Sequence, residues 1–349
     1  MTGSIRQLVL FDIAEEIYLE LVGAALKIPT VERSPAFSRP APDYVRFERA
    51  PVVEPIQLEG VEGRVKYYEY GVISVEIDRR FDLSWVELVE KSSKWLSDPS
   101  IEKQAREIVR QRVNLLGAAM LKPYAEWLTE DYAIMTVPSS EMTANTLLAE
   151  RGAEIAQIVR VENRALSDSE TQEILQARLS YYPNDLIVVG WSAAFVYDTP
   201  ESAEVTVQLL EYANTQLLEF RYYDDLLTSV LTGVYKTMDR GSGIWQRWGL
   251  AQEAEKLNTI RLDITELAER TETSIKFLSD MFYARMYRLA ATRVGVPDYR
   301  RLVDTKLHAA ADLYELMVDR FDRGRAFVLE VLVVIILLIE IVFLFKGKS

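Results

Sequence analysis

The chain has 349 residues, with 53 acidic against 40 basic side chains, a formal net charge of −13, one histidine and no cysteine. At 49% apolar and 27% charged it suits a folded protein with a sizeable core. The composition excludes a disulfide framework, a thiolate metal site, a cysteine nucleophile and a histidine-rich metal site.

The charge divides as −10 over residues 1–198, −3 over 199–325 and zero over 326–349. No segment has the basic excess of a phosphate-tracking surface, so direct nucleic-acid binding is disfavoured. The opening "MTGSIRQLVLFDIAEE" holds an apolar run of about four residues, shorter than the core of a secretory signal. The bulk of the chain is therefore expected in the cytoplasm.

In chain order, "RQLVLFDI" predicts a strand and "AEEIYLELVGAAL" a helix. Six of the twelve prolines fall between Pro29 and Pro55, which predicts an irregular connection. "GRVKYYEYGVISVEIDRRF" is β-branched and aromatic around Gly71, a pair of strands. "DLSWVELVEKSSKWL" and "SIEKQAREIVRQRVNLLGAAML" read as helices, "EDYAIMTVP" as a strand and "SDSETQEILQARL" as a helix. "NDLIVVGWSAAFVYD" reads as a core strand. Together these predict an α+β domain over residues 1–198.

Asp198 as a cap, Pro200 and Glu201 then signal a long helix, with apolar positions such as Val207, Leu210, Leu217, Leu218, Leu227 and Val234 near helical spacing. "RGSGIWQRWG" interrupts it. Gly241 and Gly243 lack the Lys–Ser/Thr pair of a phosphate loop, so a turn is expected. From Leu257 the residues Ile260, Ile264, Leu267, Ile275 and Leu278 form a heptad-like seam, which predicts a coiled-coil-like hairpin and a homo-oligomer. "VGVPD" marks the hairpin turn, and a second arm starts near Asp298 and carries His308, expected as a surface or packing residue rather than a base.

Ala326 to Phe345 is 20 residues of mainly Val, Ile and Leu. As a helix it would reach roughly 30 Å, the thickness of a bilayer core. Glu330 lies in its first turn and Glu340 deeper, at a cost below the roughly 2.5–3.5 kcal/mol of a central acidic group. The architecture predicted is thus an α+β domain (1–198), a helical hairpin (199–325), one C-terminal membrane-spanning helix (326–345) and a four-residue tail.

No catalytic constellation emerges. Glu15/Glu16 and Asp224/Asp225 are adjacent, so on a helix they point about 100° apart. Asp185 and Asp198 flank a strand, where a metal is conceivable but turn and cap chemistry is expected. No cofactor or metal site is expected. The aromatic groups "YYEY" (67–70), "SYY" (180–182) and "RYYDD" (221–225) are read mainly as packing.

"LSDSETQEILQARLSYYPNDLIVVGWSAAFVYD", "LLEFRYYDDLL" and "LEVLVVIILLIEIVFLF", with the opening "LFDIAEEIYLE", resemble the "required for meiotic nuclear division" family of mitochondria and prokaryotes. The likeness covers residues 5–25 and 65–345 in order. Val331 and Leu332 stand where its members usually have Trp. The resemblance implies no catalytic residue, self-association, and in mitochondrial members support of organelle translation at a membrane.

The function expected from all this is a tail-anchored, self-associating scaffold or adaptor, not an enzyme. It would present an acidic cytoplasmic domain to an unknown protein partner and sit on the membrane through its C-terminal helix. The alternatives are a ribosome- or RNA-associated tether and a carboxylate- and metal-dependent enzyme acting on nucleotide or nucleic acid.

Overall fold

The computed structural model describes residues 1–28, 50–58, 61–239, 259–260, 262 and 281–313. Strand β1 (Thr2–Ile17) organises it. Leu8, Val9, Leu10 and Phe11 are consecutive and all buried, the run of a strand covered on both faces. It pairs antiparallel with β4 (Val72–Asp82) on one side and β5 (Met120–Pro138) on the other.

With β2 (Val52–Leu58), β3 (Val61–Tyr67), β6 (Arg178–Leu179), β7 (Leu186–Val189) and β8 (Ala193–Asp198) these make an eight-stranded sheet of order β2-β3-β4-β1-β5-β8-β7-β6. The β5–β8 pair is parallel and the other pairs are antiparallel. The turn from β3 to β4 needs Gly71: its φ is +91°, and a Cβ there would stand 1.8 Å from the Ala14 carbonyl oxygen.

One face of the sheet is apolar and carries five helices. These are α1 (Leu19–Leu26), α2 (Trp85–Leu96), α3 (Pro99–Leu116), α4 (Ala144–Arg160) and α5 (Asp168–Gln176). Val9, Phe11, Val65 and Val75 pack with Leu19, Val22, Ile101, Ala105 and Val109. Ile5, Met135, Val188 and Phe195 pack with Leu88, Leu147, Ile155, Val159 and Ile174. The helix starts are written in the sequence: Ser84 and Glu87 form a capping box, Asp98 precedes Pro99, and Thr143 and Ser167 accept from the backbone three residues on.

The other face is polar at its centre and is covered by α6 (Pro200–Asp239). Lys66, fully buried, bridges Glu76 (2.8 Å) on β4 and Glu211 on α6. Arg64 reaches Glu76 and, at 2.9 Å, Glu204 on α6; Arg6 also meets Glu204. Burial works against the Lys66 ammonium, yet Glu211 and Glu76 outweigh it and hold its pKa above the ordinary lysine value. Burial alone would likewise raise Glu76, but Lys66, Arg64 and Arg6 bring it down to about 2. Farther along β1, Asp12 is buried with no donor on either carboxylate oxygen, and burial lifts its pKa well above the usual carboxylate value.

Helix α7 (Met281–Val294) lies beside α6 and along β7. Tyr287 donates to Gln216, Phe282 meets Tyr181 at its start (ring centroids 5.3 Å), and Arg293 pairs with Glu173 on α5 (3.0 Å). Gly295, at φ +94°, ends it against the Trp191 ring, and a further helix, α8, covers 296–313. Residues 1–222 and 281–300 form one compact unit, and the described residues from 223–262 and 301–313 belong to a second. In the second, Lys306 pairs with Asp224 at 2.6 Å, and His308 is exposed.

These findings correct the expected architecture. The sheet domain does not stop where the helices begin: α6 is clamped into it by buried ion pairs and is buried on nearly all sides from Val205 to Phe220. An appended helical hairpin is therefore replaced by an eight-stranded mixed sheet with helices on both faces. Among the described residues no helix is long and apolar enough to cross a membrane; the anchor predicted over 326–345 lies outside them. Ala326, Glu330, Glu340 and Phe345 lie outside the described residues, as do Leu257, Ile264, Leu267, Ile275 and Leu278 of the seam; Ile260 is described and buried.

Locally, "AEEI" continues β1, "EDYAIMTVP" is only the end of a strand that starts at Met120, and "NDLIVVGWSAAFVYD" is a hairpin. Its chain reverses at Gly190, whose N–H donates to the Ala193 carbonyl (2.8 Å).

Removing Lys66 leaves Glu211 buried without its cation. Lys66→Ala is expected to lower unfolding stability by about 3–5 kcal/mol, and the apolar pair Lys66→Met/Glu211→Leu to recover most of that loss. Urea denaturation of the three proteins checks this; an equal loss in the single and double variants would contradict it.

Candidate functional site

The carboxyl ends of the parallel strands β5 and β8 lie side by side, with Pro138 opposite Asp198. Each strand runs on into a helix, β5 into α4 and β8 into α6, so two helix N-termini gather at this end of the sheet. Crevices of this kind, outside the carboxyl ends of parallel strands, are common ligand sites in open sheets.

The polar groups of the walls are mostly engaged with one another. The Tyr197 hydroxyl accepts from Ser140 N–H (2.8 Å), donates to the Met142 carbonyl (3.1 Å) and meets Ser140 Oγ (2.8 Å). Ala144 N–H donates to the Pro183 carbonyl at 2.7 Å, tying the start of α4 to the segment before β7. Asp185, nearly fully buried, accepts from the N–H groups of Tyr181 (2.7 Å) and Tyr182 (2.8 Å) and so fixes the 181–185 turn.

Asp185 and Asp198, flanking one stretch of sequence, are brought together because β7 and β8 are antiparallel and Leu186 lies opposite Tyr197. Burial first, and Asp185 in smaller part, raise Asp198 to about 6, while the Thr199 N–H works the other way. The cap of α6 falls one residue later than the sequence suggested: Thr199 Oγ1 accepts from Ser202 N–H (3.4 Å). The described residues contain no group of three or more His, Asp or Glu able to hold a metal ion. Glu15 and Glu16 lie toward the far end of β1 and do not join this site, and Asp224, Asp225 and His308 belong to the second unit.

Beside these walls is a cavity of about 320 Å³. Leu148, Leu179, Pro183 and Leu186 give it an apolar floor, Thr143, Ala144 and Asn145 of the α4 start form one wall, and Arg178 of β6 and Arg285 of α7 complete its lining. Among the described residues neither arginine pairs with a carboxylate. Arg178 donates to the Leu175 carbonyl (2.9 Å). Around the cavity stand exposed apolar side chains: Met142, Tyr181, Tyr182 and Met281. Tyr181 packs edge-on against Tyr182 and Phe282, with centroids 4.8 and 5.3 Å away.

Sequence reasoning had marked 180–182 as an aromatic group and Asp185 and Asp198 as flanking carboxylates. It missed Arg178, Arg285, Ser140 and Tyr197. More than 100 residues separate Arg178 from Arg285, and no local pattern signals that α7 lies along β7.

The chain belongs to the family described as "Uncharacterized protein MJ0711, N-terminal domain", whose model matches residues 2–204, the whole sheet and the first turn of α6. It is similar along nearly its full length to the uncharacterized protein MJ0711 of Methanocaldococcus jannaschii: 22% identical over 348 residues, covering 98% of this chain and 97% of that one. No solved structure matches. These likenesses replace the resemblance to the "required for meiotic nuclear division" family and remove the basis for a ribosome tether inferred from it.

Because the folded pKa of Asp198 is raised, its contribution to stability is complete below the unfolded value of 3.8 and is lost as pH rises through about 6. Asp198→Asn keeps the acceptor for Thr199 N–H. It is expected to gain stability relative to wild type between pH 4 and pH 7, as read by thermal unfolding across that range; parallel curves would contradict the assignment.

Proposed function

We propose that the protein is an adaptor that binds an acidic segment of a protein partner at the β5/β8 end of its sheet, without transforming it. The observation that carries this reading is the surface around the cavity. Tyr181, Tyr182, Met142 and Met281 are exposed there beside Arg178 and Arg285, and Tyr, Met and Arg are the residue types enriched in protein interfaces. Charge complementarity selects the partner. The chain as a whole carries −13 and repels acidic segments, whereas two arginines without carboxylate partners attract one here.

A photocrosslinking residue at position 182 of the full chain is expected to capture a defined protein, while one at Leu115, exposed on α3, is not. Arg178→Glu is expected to weaken recapture of that protein at least about tenfold, since rim charges govern encounter and charged pairs the off-rate. Equal adducts from positions 182 and 115, or unchanged recapture, would sink the reading. Self-association remains part of the proposal, and light scattering of the full chain tests it separately: a monomeric mass removes that part alone.

The second reading is an enzyme using the Asp185–Asp198 pair, favoured by the raised pKa of Asp198 next to a second carboxylate. It predicts a thermal shift on adding a divalent cation that Asp198→Asn abolishes.

A further inference from the structure

We propose that the cavity between β6, the start of α4 and α7 binds a small phosphomonoester, its phosphoryl group held between Arg178 and Arg285. This rests on the reading that the β5/β8 end is the binding end, and adds the chemistry of a small ligand that occupies the cavity beside the partner surface.

The argument starts from charge. In a chain with 53 acidic and 40 basic residues, a guanidinium has carboxylates to spare. Arg6, Arg64, Arg112, Arg221 and Arg293 each pair with one. Arg178 and Arg285 do not, among the described residues, and neither do Arg79, Arg110, Arg164 and Arg288; what sets Arg178 and Arg285 apart is that two separate elements bring them to the same cavity. A dianion bound in that cavity is attracted by both.

A phosphomonoester carries close to two negative charges near neutral pH and presents three acceptor oxygens. Guanidinium forks match that arrangement with paired hydrogen bonds. A carboxylate, with one charge and two oxygens, satisfies one fork. The α4 start adds to the same wall the positive end of a 17-residue helix and the side-chain amide of Asn145.

The rest of the cavity sets the size of the ligand. Leu148, Leu179, Pro183 and Leu186 offer an apolar floor, and a volume of about 320 Å³ is at the small end of ligand pockets. It suits a phosphoryl group carrying a body about the size of one ring.

Titration calorimetry of the full chain with phenyl phosphate tests this. Binding with a Kd below about 1 mM is expected, with benzoate at least about tenfold weaker. Arg178→Gln and Arg285→Gln should each weaken phenyl phosphate at least about tenfold and leave thermal unfolding without ligand unchanged. Equal binding of benzoate, or unchanged affinity in both variants, would overturn the assignment. A phosphoserine peptide binding tenfold tighter than phenyl phosphate would overturn the small-molecule source. Partner recapture separates this inference from the adaptor reading. If Arg178→Gln loses the partner while phenyl phosphate never binds wild type, the phosphoryl assignment fails and the adaptor stands. If phenyl phosphate binds as expected and no partner is captured at position 182, the assignment holds and the adaptor fails.

Discussion

The interaction on which the molecule depends is the buried ion pairing of Lys66 with Glu76 and Glu211. It joins an edge-side strand, the neighbour of the central strand and the long helix α6 in one closed group, flanked by Arg6, Arg64 and Glu204. Buried ion pairs add little net stability over apolar packing of the same shape, but breaking one partner is severe. Their effect is to fix where α6 lies. An apolar interface would tolerate a slide along the helix; a lysine that must meet Glu211, with Arg64 and Arg6 meeting Glu204 two turns earlier, tolerates none.

The consequence runs through to the binding end. β8 leads through Asp198 and Thr199 directly into α6, so a fixed α6 fixes the end of β8 beside that of β5. α6 also receives Tyr287 of α7 through Gln216, which places α7 along β7 and brings Arg285 to the cavity that Arg178 lines. The cavity is thus assembled from elements whose positions trace back to the polar seam under α6. Its walls are held by short bonds: the Tyr197 hydroxyl, the Asp185 carboxylate and the Ala144–Pro183 bond.

Much of this order was legible in the residues. The strand run at Leu8–Phe11, the pair of strands around Gly71, the helices that follow Leu83, Pro99 and Ser167, and the start of α6 near Pro200 follow from local chemistry. What local pattern could not show was long-range. Gly190 turns a run of apolar residues into a hairpin because its N–H bonds the Ala193 carbonyl, which periodicity does not distinguish from one long strand. The apolar spacing of α6 reads equally as a free hairpin arm or a helix buried on all sides. A signal for the second was present: Lys66 stands between Val65 and Tyr67, Glu76 between Val75 and Ile77, and Glu211 follows Leu209 and Leu210, a set of charges that must neutralise one another when buried. Arg178 and Arg285 carried no such signal, because unpaired arginines on a surface are ordinary until the fold brings them to one cavity.

The most direct test of this account is backbone hydrogen exchange of the full chain, followed by mass spectrometry across α6. If α6 is a clamped part of the sheet domain, amides from Val205 to Phe220 exchange as slowly as those of β1 and β4, in one cooperative unit. If they exchange freely while β1 and β4 remain protected, α6 is a separate arm, and the seam of Lys66, Glu76 and Glu211 does not organise the fold or its binding end.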